Sequence, residues 1–166
     1  ALRELERLPA SVREQRRPEI ERQYRDPARA HLLASSSIEV PSRAYVQALL
    51  AYYDGRFDDA LRELDGVEAA AAPWFYEAPL LRGQILLDRA VATRGHASDA
   101  ELTTQLDRAR EALTAATKIG ESEPALFATL ADLERTELFI EMYGRGRVDG
   151  PYQRGLAAAN QALALE

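Results

Sequence analysis

Residues 44–64 read AYVQALLAYYDGRFDDALREL. Alanine and leucine dominate the stretch, and neither half alternates apolar with polar residues as a half-buried strand would. Gly55 supplies the positive φ that closes a helix at Asp54, so the stretch reads as two helices joined by a tight turn. The same texture extends in both directions. Valine, isoleucine and threonine are sparse along the whole chain, which predicts an all-α protein. Breakers then set the boundaries. Pro9, Pro18, Pro27, Pro41, Pro73, Pro124 and Pro151 each stand where a helix can begin, because proline lacks the amide that a first turn leaves unpaired. Pro79 is the exception: Trp74 to Ala92 otherwise reads as one helix, with Pro79 in its first turns or at a bend.

Residues 1–40 form an arginine-rich prelude of short, weakly amphipathic helices, and Ser35-Ser36-Ser37 ahead of Pro41 reads as a boundary loop. Residues 41–166 form the main domain, divided into three helix pairs: 41–54 with 57–70, 74–92 with 99–118, and 124–143 with 151–165. Thr93 to Ser98 and Gly144 to Gly150 are inserted connectors. Ser98 followed by Glu101 has the form of a capping box. In the last helix Tyr152, Leu156, Ala159 and Leu163 recur at intervals of four, three and four, which predicts an apolar stripe on its inner face.

Gly55-x-Phe57-x-x-Ala60 resembles a tetratricopeptide repeat, with the small Ala48 and Ala60 at the close approach of two antiparallel helices and Phe57 and Leu64 beside them. Looser matches follow at Leu81-Arg82-Gly83 and Leu130-Ala131 in first-helix roles, and at 106–113 and 156–166 in second-helix roles. The resemblance implies a right-handed α-solenoid of TPR-like helix pairs, about seven to eight helices with the prelude, whose second and third repeats exceed the usual length of about 34 residues. Pairs of this kind bury their apolar faces only by stacking. Phe57-Asp58-Asp59-Ala60-Leu61, the run from Ala72 to Ala78 and the closing run from Ala162 to Glu166 are similar to helical-repeat regions C-terminal to the kinase domain of some bacterial serine/threonine protein kinases. That similarity implies a regulatory or partner-binding segment. The kinase machinery itself has no counterpart: there is no His-Arg-Asp, no Asp-Phe-Gly and no glycine loop with a strand-borne lysine.

Composition narrows the function further. The 166 residues are 46% apolar and 29% charged, with a net charge of -6, which suits one globular unit and opposes phosphate-rich partners such as nucleic acid. No run is apolar enough to span a bilayer, and Ala1 opens into a charged run without a signal-peptide pattern. The missing initiator methionine leads us to expect a longer parent chain. The absence of cysteine excludes disulfides, thiol nucleophiles and thiolate zinc sites, and fits a cytoplasmic setting. His31 and His96 show no metal-ligand spacing, and no cofactor or metal is expected. Gly144 to Gly150 carries Arg145 and Arg147 but lacks the strand and the Gly-Lys-Ser/Thr ending of a phosphate loop, so it reads as an exposed connector. The carboxylate pairs Asp58-Asp59 and Glu121-x-Glu123 stand near helix starts, where the macrodipole favours negative charge by about 0.3–1 kcal/mol.

In an array of this type the first helix of each pair lines a concave groove. The phase places Tyr45, Leu49, Tyr52 and Tyr53 in it from the first unit, Glu77, Gln84 and Asp88 from the second, and Asp132 and Arg135 from the third. Tyrosine offers contact area at low entropic cost, and the carboxylates favour a basic or mixed-charge protein or peptide. The function expected is therefore a non-catalytic protein-interaction module. The alternative is a small-ligand-binding or enzymatic helical domain with a pocket on the inner face, and self-association through the last helix is a further expectation. Trp74, just after the proline that ends the first repeat, is expected to wedge between repeats, so that Trp74→Ala costs about 3–5 kcal/mol.

Overall fold

The computed structural model describes residues 10–34, 42–68 and 73–166. Every regular element among them is helical. An N-terminal arm runs without a break through α1 (Ala10–Ile20), a π-type turn (Glu21–Arg25) and α2 (Asp26–Ala34). It is followed by α3 (Arg43–Tyr53), α4 (Phe57–Glu68), α5 (Glu77–Thr93), α6 (Asp99–Ile119), α7 (Pro124–Tyr143) and α8 (Asp149–Leu165). The proposed boundary at Ser35–Ser37 and the starts at Pro9 and Pro41 lie outside the described residues.

Local chemistry explains most of the helix ends. The Ser42 hydroxyl accepts the Tyr45 N–H at 3.3 Å and starts α3. Gly55, at φ +74°, turns the chain after it. Ser98 and Glu101 form the reciprocal capping box of α6, the Ser98 N–H donating to Glu101 Oε2 at 2.8 Å. Pro124 opens α7 and Pro151 lies in the first turn of α8. Two proline readings need correction. Pro18 lies inside α1, on a solvent-exposed stretch, and its missing N–H leaves one carbonyl without its intrahelical donor. Just beyond it the helix widens, and the Asp26 N–H bonds the Glu21 carbonyl five residues back. Pro73 begins a turn, so α5 starts at Glu77 and not at Trp74; Pro79 then falls in the first turn, as anticipated.

That later start decides which aromatic ring is buried. Phe75 is 6% exposed and packs in a cluster with Ala48, Ala60, Leu64, Ala78 and Ile85, whereas Trp74 is 63% exposed. The expectation that Trp74 is the wedge is therefore wrong: its neighbour takes the place. A second cluster joins Leu86, Leu87 and Ala90 of α5 to Leu106, Ala109 and Leu113 of α6 and Leu133 of α7. Helix α5 thus serves two cores, one on each side. Gly83 allows its close approach to α6, since a Cβ there would lie 2.5 Å from Leu113 Cγ.

Each helix from α3 to α8 packs on the next, and α3 also touches α5 as α5 touches α7. In α8 the expected stripe is turned the other way. Pro151, Ala158 and Ala162 are buried, Gly155 sits against the Glu134 Cβ, and Tyr152, Leu156 and Leu163 are exposed. Small residues let α8 lie close on α7, and the larger ones, about a quarter-turn or more around the helix, face solvent.

Candidate functional site

The residues expected to line a groove fall on single faces of α3, α5 and α7. On α3, Tyr45, Leu49, Tyr52 and Tyr53 are all half-buried, following the i, i+4, i+7, i+8 spacing of one helix face. Tyr45 meets Phe75 edge to face at 5.0 Å, which anchors this row on the first core. Tyr52 stands 5.9 Å from Tyr53 and 6.3 Å from Phe57, ring centre to ring centre. On α5, Glu77, Gln84 and Asp88 share a face with the exposed Val91. Across the two helices, the Tyr52 hydroxyl donates to Asp88 Oδ2. On α7, Asp132 Oδ1 accepts from Arg135 at 3.0 Å. The structure therefore brings Tyr52 to Asp88 and places Tyr45 within the field of Glu77, while Asp132 and Arg135 pair with one another.

Burial pushes the Tyr45 phenol up from 10.0 to about 12, with Glu77 and then Tyr53 adding to the effect. A raised pKa in the fold means that the neutral ring is favoured there. Stability is complete below pH 10, where the unfolded chain also keeps its proton, and declines as pH rises through about 12. An alkaline denaturation series should show this decline, and Tyr45→Phe should flatten it; equal slopes for both proteins would place the phenol in water. Glu77 adds a second feature, because its Oε2 is buried without a hydrogen-bond donor.

Several residues were missed by the sequence reading. Phe139 and Met142 are exposed on α7, four and seven residues after Arg135, and extend the same face. Their spacing from Arg135 was the available signal. The arm also reaches the site: a cavity of about 500 Å³ lies between it and the ends of α3 and α5, lined by Arg17, Arg25, Tyr52, Tyr53, Asp88 and Val91 among others. Away from these faces, two carboxylates are buried among the last three helices. Glu134, 1% exposed, accepts from Arg110 Nε at 2.7 Å and Arg154 Nε at 2.9 Å, and the same two arginines reach Glu137.

Glu141, 2% exposed, takes both arginines of the glycine-rich connector, Arg145 and Arg147, and the Arg147 N–H at 3.4 Å. Burial opposes its ionisation, but the Arg147 and Arg145 hydrogen bonds outweigh burial and hold the carboxyl below the usual range. The arginines that a phosphate would need are thus turned onto a carboxylate of the chain. No protein-family model, curated protein or solved structure matches the chain, so geometry carries the functional reading.

Proposed function

We propose that the chain is a TPR-like α-solenoid that acts without catalysis, binding a basic or mixed-charge peptide or protein segment along the outward face of α3, α5 and α7. The observation that carries this reading is the contact order. In stacked helix pairs the first helix touches its own partner and the first helix of the next pair, while the second helix bridges the two. Here α3, α5 and α7 form such a row, with α4 and α6 between successive members. The row leaves one face with tyrosines at one end, carboxylates in the middle and Phe139 and Met142 at the other. Glu77 and Asp88 make the middle of that face anionic, which favours a cationic partner. A cytoplasmic place in the regulatory region of a bacterial serine/threonine kinase belongs to the same proposal and rests on the resemblance of residues 57–61, 72–78 and 162–166.

The test is a set of labelled peptides of matched apolar content and differing net charge, titrated against the whole chain at two salt concentrations. Basic peptides should bind, and Asp88→Arg or added salt should weaken them by about tenfold. Binding indifferent to both changes, or confined to acidic peptides, would sink the charge assignment. Tyr53→Ala should weaken binding without moving the thermal transition, because Tyr53 is only half-buried.

A further inference from the structure

The arm lies over one end of the face just described. Arg17, Glu21 and Arg25, spaced by four residues, share one side of it, and this side forms a wall of the cavity opposite Tyr52, Tyr53 and Asp88. Glu21 pairs with Arg25 at 3.0 Å and with Arg17 at 3.7 Å. Further along, Arg29 Nε donates to Asp54 Oδ1 at 3.0 Å, joining α2 to the end of α3. That bond, with a second from Arg56, holds the Asp54 carboxyl below the usual range. The segment 10–34 carries six arginines against four carboxylates, so a cationic helix already rests on the tyrosine and carboxylate end of the groove.

The seat is shallow. None of the arm residues 11–34 is fully buried, and the Arg29–Asp54 pair is partly exposed. Exposed ion pairs contribute about 0–1 kcal/mol and are screened by salt. The cavity beneath the arm shows that its side chains do not fill the space between it and α3 and α5. An occupant that brings complementary charge but little packing is one that a better-fitting helix can replace.

We propose that the Ala10–Ala34 arm is a built-in occupant of the groove, and that the surface it covers takes an arginine- or lysine-bearing amphipathic helix of a protein partner, which must displace the arm to bind. The inference rests on the groove reading and adds to it the partner's form and a regulating contact. Binding is weakened by the reciprocal of the fraction of molecules whose arm is displaced, so an arm seated in four molecules of five weakens it about fivefold.

The chain has no cysteine, so Ala30→Cys with Glu63→Cys gives a unique pair of spin-label sites on the full protein, one on the arm and one on α4. At low salt the distance distribution should be narrow. Arg29→Glu sets a carboxylate against Asp54 and should broaden it, and adding Asp54→Arg to that variant should narrow it again. A synthetic peptide copying residues 10–34 serves as the probe. It should bind the Arg29→Glu protein about fivefold more tightly than the wild-type chain, because the groove is vacated while Asp54 remains. A distribution that stays narrow in Arg29→Glu, or a peptide that binds both proteins equally, overturns the inference and leaves the groove reading standing. A released arm with no peptide bound to either protein sinks the groove reading, and the inference with it.

Discussion

Arg110→Met should destabilise the fold by about 3–5 kcal/mol, because it leaves Glu134 and Glu137 facing only Arg154 in the interior of the α6, α7 and α8 stack. For a chain of this length the thermal midpoint should fall by roughly 10 °C. The sign of the pH dependence follows. A carboxylate stripped of its partner while buried has a folded-state pKa above its unfolded value. The variant's deficit should therefore shrink toward acid, where that carboxylate is protonated, and grow as pH rises to neutrality. Adding Glu134→Leu should recover part of the loss, since one guanidinium then faces one carboxylate and an apolar side chain fills the buried site. A single variant that loses less than about 1 kcal/mol, the range of an exposed pair, would show that water reaches the network.

These buried charges also mark where sequence stops being informative. Glu134 and Glu137 lie in α7, and nothing within a few positions distinguishes them from Asp132. What holds them in the stack is Arg110, 24 residues before Glu134, and Arg154, 20 residues after it. Signals confined to one turn fared better. The Ser98 and Glu101 box, Gly55 and Pro124 act within a few residues, so they were legible without neighbours. Spacing on one face was legible too: it puts Tyr52 in line with Tyr45 on α3 and Asp88 in line with Gln84 on α5, and the two meet in a hydrogen bond. The stripe of α8 failed for the opposite reason. Periodicity identifies an apolar face but not what covers it, and Ala158 and Ala162 pack on α7 because their small size permits closer approach than Leu156 and Leu163 would. The arm's position over the tyrosines had no local signal at all.

Phe75→Ala and Trp74→Ala should differ sharply although the residues are adjacent. Phe75 fills the space between α3, α4 and α5, in edge contact with Tyr45, and its truncation should cost about 3–5 kcal/mol in transfer free energy and residual cavity. Trp74 meets Phe75 edge to face, with ring centres 5.9 Å apart, but leaves most of its surface in water, so Trp74→Ala should cost less than about 1 kcal/mol. Urea unfolding of the two variants beside the wild type separates them. The comparison also tests where α5 begins. With the helix starting at Glu77, Trp74 and Phe75 occupy a turn whose bond from the Tyr76 N–H to the Trp74 carbonyl lets the two rings diverge. A helix starting at Trp74 would instead fix the two side chains about 100° apart on the helix surface and allow the indole into the core. Similar losses for both variants would therefore move the start of α5 back by one turn and return Trp74 to the wedge between the first two helix pairs.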